Sequence, residues 1–165
     1  MRKLLLALIA LTVVPGAPAR AATGDWTWPV VGPVIRGFDP PDTPFSAGHR
    51  GIDVAVAEDT PVLAAAAGAV SFAGPVGGRL FVTIDHGGGL ESTYSFLASV
   101  AVRRGAVVAA AQVLGTSGTG HAGETLSHLH FGVRLDDVYV DPLAYLGPVE
   151  LWRFIRLAPL VAGPS

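Results

Sequence analysis

Between Gly51 and Leu146, glycine, proline and paired aspartates interrupt the chain so often that no apolar pattern lasts three helical turns. Only short strands fit that punctuation. Residues 61–64 and 69–72 flank a turn at Ala67-Gly68, and residues 79–85 (RLFVTID) alternate cleanly. Gly87-Gly88-Gly89 then turns the chain into residues 90–97. Val107-Val108 and Val113-Leu114 follow, then a loop over residues 115–123. Residues 128–135 and 138–140, joined by Asp136-Asp137, read as a hairpin. Many short strands at this spacing predict a mostly β, antiparallel domain of sandwich or barrel-like form with little helix.

The two ends read differently. Met1-Arg2-Lys3, the apolar run from Leu4 to Val14, and Ala19-Arg20-Ala21 have the order of a secretory signal, so residues 1–21 are expected to be removed. That run is shorter than the ~20 residues of a membrane span, and no stable span is expected after cleavage. Residues 22–47 are rich in proline and tryptophan and predict an extended arm. Residues 48–147 form the main domain, and residues 148–165 a tail that is either a short amphipathic helix or a covering strand. The chain beyond Ala21 holds 8 arginines and no lysine against 13 acidic residues. That balance argues against a nucleic-acid partner, which needs a basic face. With no cysteine, an exported chain must rely on packing, helped by a metal if one binds. A monomer is expected.

Two groupings carry chemistry. His49-Arg50-Gly51-Ile52-Asp53 is an HxxxD, and His128-Leu129-His130 is an HxH opening a strand. On a strand, residues i and i+2 share a face about 6.6 Å apart, close enough that both imidazoles can serve one site. His49 and Asp53 would lie about 13 Å apart in a straight strand and converge only if the chain bends, which Gly51 permits. Each grouping alone is more often an ordinary surface feature. Together, two histidines and an aspartate match the three protein ligands of a catalytic zinc site, with a spare imidazole for proton transfer.

The surrounding segments resemble, in order, the landmarks of the lysostaphin-type (LytM-like) zinc metalloendopeptidases. They are GHRGIDVA from Gly48, TPVLAA from Thr60, Gly68-Ala69-Val70, IDHG from Ile84 and SHLHFGV from Ser127, with Tyr94, Gly105 and TSGTG from Thr116 in the same series. The resemblance covers residues 26–145. It implies a duplicated hybrid motif fold, zinc held by His49, Asp53 and His130, and His128 as the acid/base. It also implies a substrate in the peptide cross-links of bacterial peptidoglycan, while the N-terminal export signal implies a place outside the cytoplasm.

One position departs from the family pattern. Where the family carries a second non-ligand histidine in a Tyr-x-His-Leu run, this chain reads Tyr94-Ser95-Phe96-Leu97. Loss of such a group typically costs about 10² to 10⁴ in rate. The alternative is therefore a catalytically impaired member that binds wall peptide or regulates another hydrolase. His121, seven residues before His128, is the candidate replacement, although a histidine in a glycine-rich loop is ordinarily solvated. His86, before three glycines, reads as structural. Histidine phosphotransfer on a similar fold is disfavoured by the export signal.

Overall fold

The computed structural model describes residues 24–43, 46–122 and 124–148. The expected signal at residues 1–21 and nearly all of the tail lie outside the described residues. The strands are β1 (Val34–Arg36), β2 (Ile52–Ala55), β3 (Pro61–Leu63), β4 (Gly68–Val76), β5 (Arg79–Asp85), β6 (Leu90–Val100), β7 (Val107–Val108), β8 (Val113–Ser117), β9 (His128–Leu135) and β10 (Val138–Val140). Among the described residues the single helical element is a 3₁₀ turn at Pro142–Ala144, capped by the Asp141 side chain.

All ten strands join one sheet in the order β1-β2-β9-β6-β5-β4-β7, with β10 beside β9 and β3 attached through β8. Every pairing between these ten strands is antiparallel. The mostly β, antiparallel expectation is met in the form of a single branched sheet. Its branch lies in β6, whose first half pairs with β9 as far as Ser95↔His130, and whose second half pairs with β8 from Leu97↔Ser117 onward.

Phe96 lies at the branch. Along β5 the register passes from Phe81↔Ser95 to Leu80↔Leu97, leaving Phe96 as an extra residue in β6. Its φ of +64° is rare for an aromatic residue, and such bulges bend a strand and re-aim its side chain. The bulge directs the two halves of β6 to different neighbours.

β4, β6 and β8 run further than the sequence indicates. β8 continues to Ser117, inside the segment read as loop from residue 115. Gly115 is there for space rather than for a turn, because a Cβ would lie 2.0 Å from Ser99 O on the adjacent strand. β1 forms within the proline-rich arm and pairs with β2.

Alternation sorts the two faces. Leu129, Phe131 and Val133 of β9, Ile52 and Val54 of β2, and Tyr94 of β6 are fully buried on one side. Trp26 from the arm is buried with them, with its ring against His86, Phe131 and Tyr145. A parallel bridge from Trp26 to Leu146, and a hydrogen bond from Trp28 Nε1 to Gly147 O at 2.8 Å, fasten the arm to the end of the domain. The opposite side of β2 and β9 carries Asp53, His128 and His130.

Candidate metal centre

The register of β2 against β9 builds the site. Asp53 pairs directly with His130, and Ala55 pairs with His128, so Asp53 and the two histidines share a face at neighbouring positions. His49 lies just before β2, where an isolated bridge to Asp39 anchors it. Gly51 allows the convergence, though not through a left-handed turn. A Cβ at Gly51 would meet Phe131 O at 2.4 Å and His130 Nε2 at 2.9 Å, so only a bare backbone fits against β9 here.

Four side chains meet. His49 Nε2 lies 3.1 Å from Asp53 Oδ2 and 3.1 Å from His130 Nδ1. His130 Nδ1 lies 2.8 Å from Asp53 Oδ1, and His121 Nε2 lies 3.5 Å from that same oxygen. One donor atom from each of His49, Asp53, His121 and His130 falls within 4.8 Å of all the others. Tetrahedral bonds of about 2.0–2.1 Å require donors roughly 3.3 Å apart, so this spacing suits a small cation. The tautomer of His49 suits one too. Its Nδ1–H donates to Gly37 O at 2.7 Å, which leaves the Nε2 lone pair facing the cluster. Asp53 is 1% exposed, and three histidines surround it.

The electrostatics follow from this crowding. Burial works to raise the Asp53 carboxyl, but the His130 hydrogen bond and the adjacent imidazoles outweigh it and hold the group below its ordinary value. Burial, joined by the neighbouring histidines, lowers His121, with Asp53 acting in the opposite sense. Both residues are thereby kept in their donor forms, carboxylate and neutral imidazole.

His128 stands beside the cluster, fully buried, with Nε2 4.0 Å from Asp53 Oδ2. Its Nδ1–H donates to Leu126 O at 2.8 Å, so Nε2 carries the lone pair, which accepts the His121 backbone N–H at 3.1 Å. Phe96 packs its ring 4.5 Å from that of His121 and 6.1 Å from that of His130. Beside Phe96 runs a groove of about 440 Å³, lined by Glu58, Arg79, Leu80, Leu97 and Thr119 among others.

The structure thus brings together His49, Asp53, His128 and His130, as the two sequence groupings suggest. It corrects the reading of His121 as a solvated loop residue, because that imidazole faces Asp53 and is 30% exposed. Ser95, 3% exposed and paired with His130, was not singled out, and neither was Arg79. No local motif marks either one. His86 lies apart from the cluster, with Nδ1 2.8 Å from Ala67 O and Nε2 2.8 Å from Ser92 Oγ, which also contacts the Tyr94 hydroxyl at 3.1 Å.

A branched antiparallel sheet carrying a histidine–aspartate cluster on one face defines the class: a metallopeptidase-type domain of the lysostaphin kind. The family profile of peptidase family M23 matches residues 47–142, and the chain belongs to that family. An uncharacterised protein of Mycobacterium tuberculosis is 36% identical over 160 residues, covering 93% of this chain and 62% of that protein. The murein hydrolase activator NlpD of Escherichia coli is 32% identical over 123 residues, covering 73% of this chain and 31% of NlpD. The chain therefore spans less than two thirds of the length of these relatives. Among solved structures, the antimicrobial peptidase lysostaphin from Staphylococcus simulans superposes with a TM-score of 0.66 at 25% identity, over 85% of this chain and 62% of that one. A zinc-containing peptidase from Vibrio cholerae gives 0.64 at 26% identity, over 76% of this chain and 41% of that one. Among the described residues no helix is long and apolar enough to cross a membrane.

Proposed function

We propose that this chain is an exported zinc metalloendopeptidase that hydrolyses peptide cross-links of bacterial peptidoglycan outside the cytoplasm, acting as a monomer on stem peptide or cross-bridge. The observation that carries the reading is the convergence of His49 Nε2, Asp53 and His130 Nδ1 beside a buried, correctly tautomerised His128. His49, Asp53 and His130 would hold the zinc. When bound, zinc supplies a Lewis acid that polarises a peptide carbonyl and makes water acidic enough to attack near neutral pH.

The chain's own groups do the rest. Gly37 O and Leu126 O fix the tautomers of His49 and His128 through their Nδ1 protons. The His128 Nε2 lone pair, on the cluster side of its ring, is the atom that would take a proton from water and return it to the leaving amine. The groove beside Phe96 offers an extended peptide a place along the sheet.

A second reading, a regulator or binder of wall peptide, is favoured by Phe96 at the position of the family's second histidine and by the likeness to NlpD. Metal analysis and muropeptide release decide between them. Purified protein should hold tightly bound zinc, lose it in His49→Ala, Asp53→Ala or His130→Ala, and release muropeptides from at least one wall type. Zinc-loaded protein that releases none from several wall types would move the assignment to the regulator.

A further inference from the structure

Building on the reading that this site takes zinc, we infer that His121 is the fourth protein donor to the metal, and that residues 118–121 form a cap which closes the site in its resting state. A catalytic zinc site keeps one position open, whereas four protein donors fill a tetrahedron and make a closed site. His121 Nε2 is a buried ring nitrogen with no hydrogen-bond partner, aimed at the cluster and 3.5 Å from Asp53 Oδ1. That separation is close to the roughly 3.3 Å edge of a tetrahedron of zinc bonds, and His130 Nδ1 lies at comparable distances from Asp53 Oδ1 (2.8 Å) and from His49 Nε2 (3.1 Å).

The cap also occupies His128. Its Nε2 lone pair, the atom needed for proton transfer, accepts the backbone N–H of His121 at 3.1 Å. Gly120 lets the chain come that close: its φ is +85°, and a Cβ there would fall 2.3 Å from the His128 ring. One short segment thus supplies a metal donor and engages the proton acceptor at once.

Phe96 belongs to the same device. Gly118 N–H donates to Phe96 O at 3.0 Å, and the Phe96 ring supports that of His121. Arg79 also lies over the Phe96 ring, 5.1 Å from its centroid, and donates to Gly120 O. The residue that departs from the family pattern is therefore a wall of the cap. Substrate or a partner must lift residues 118–121 to free one metal position and the His128 lone pair together.

The test reads coordination rather than turnover. Zinc affinity is measured by competition with a chromogenic chelator, and the visible spectrum of the cobalt-substituted protein is recorded with and without azide. Wild type should show a four-coordinate cobalt spectrum that azide does not alter. His121→Ala should bind zinc about 10-fold or more weakly and show an azide-dependent spectrum, because a position opens. Arg79→Gln keeps every donor and guards against misfolding of the first variant; its spectrum should respond to azide at concentrations that leave the wild-type spectrum unchanged. An azide response in wild type equal to that of His121→Ala, with unchanged zinc affinity, overturns the cap. A protein that takes up neither zinc nor cobalt overturns both this inference and the zinc reading. Muropeptide release by neither wild type nor His121→Ala, with the spectra as expected, sinks the peptidase reading and leaves the closed site standing.

Discussion

Asp53 is the residue on which the site turns, because its two oxygens face four histidines within 4.0 Å. A buried carboxylate in that setting is tolerable only when several donors or a cation offset the loss of solvent. The residues around it divide by role. His128→Ala should leave zinc content nearly unchanged while lowering hydrolysis by about 10² to 10⁴, since its ring lies beside the donor cluster and not within it. Equal zinc loss in His128→Ala and His130→Ala would show that the two roles are misassigned. Phe96→His should raise kcat more than it changes KM, by about 10-fold, because an added proton or oxyanion donor acts on developing charge. The backbone favours that change, since histidine tolerates the φ of +64° better than phenylalanine does. Measuring it in both the wild-type and His121→Ala backgrounds separates the new donor from loosening of the cap. No gain in either background removes Phe96 as the cause of slow turnover.

At the scale of elements, the site depends on how closely β2 and β9 approach. Asp53 and His130 face each other only while Ile52↔Phe131 and Val54↔Leu129 hold the register. Gly51→Ala would place a methyl 2.4 Å from Phe131 O, a backbone atom that cannot swing aside. We expect about 1–3 kcal/mol of lost stability, together with weaker zinc binding. Urea denaturation and chelator competition measure the two effects, and an unchanged zinc affinity would show that the strand spacing does not set the site. The bulge at Phe96 plays a comparable part in β6, joining the β9 and β8 branches where the groove begins.

Across the whole molecule, the arm and the far end of the domain close over one face of the sheet through Trp26, Trp28, Tyr145 and Leu146. His86 lies under Trp26, and burial lowers its pKa below the ordinary value, against opposing effects of Ala67 O, Asp85 and Glu91. The unfolded chain, titrating near pH 6.5, therefore takes up the proton first as pH falls. The stability tied to neutral His86 is complete above that pH and declines as pH drops from the unfolded value toward the lower folded one. Urea midpoints taken from about pH 8 to about pH 5 in chelator should fall more steeply for wild type than for His86→Gln. Parallel slopes would show that His86 is not the titrating group.

Strand content was legible because period-two alternation and glycine punctuation are local properties: β5, β7, β9 and β10 lie where the pattern puts them. His128 and His130 share a face for the same reason, two residues apart on one strand. Other features have no local signal. β1 is three exposed residues whose strand state comes from pairing with β2. Gly115 resembles a loop glycine until Ser99 O is found against it. The composition of residues 115–123 suggests solvent, yet His121 is turned inward by Arg79 from β5, Phe96 from β6 and Asp53 from β2. The sequence by itself determined an antiparallel β domain and the chemical kind of its cluster, since both follow from short-range pattern and residue type. Only the tertiary structure decided that a third histidine, His121, joins the donor cluster, because that depends on contacts between residues 25 to 68 positions apart.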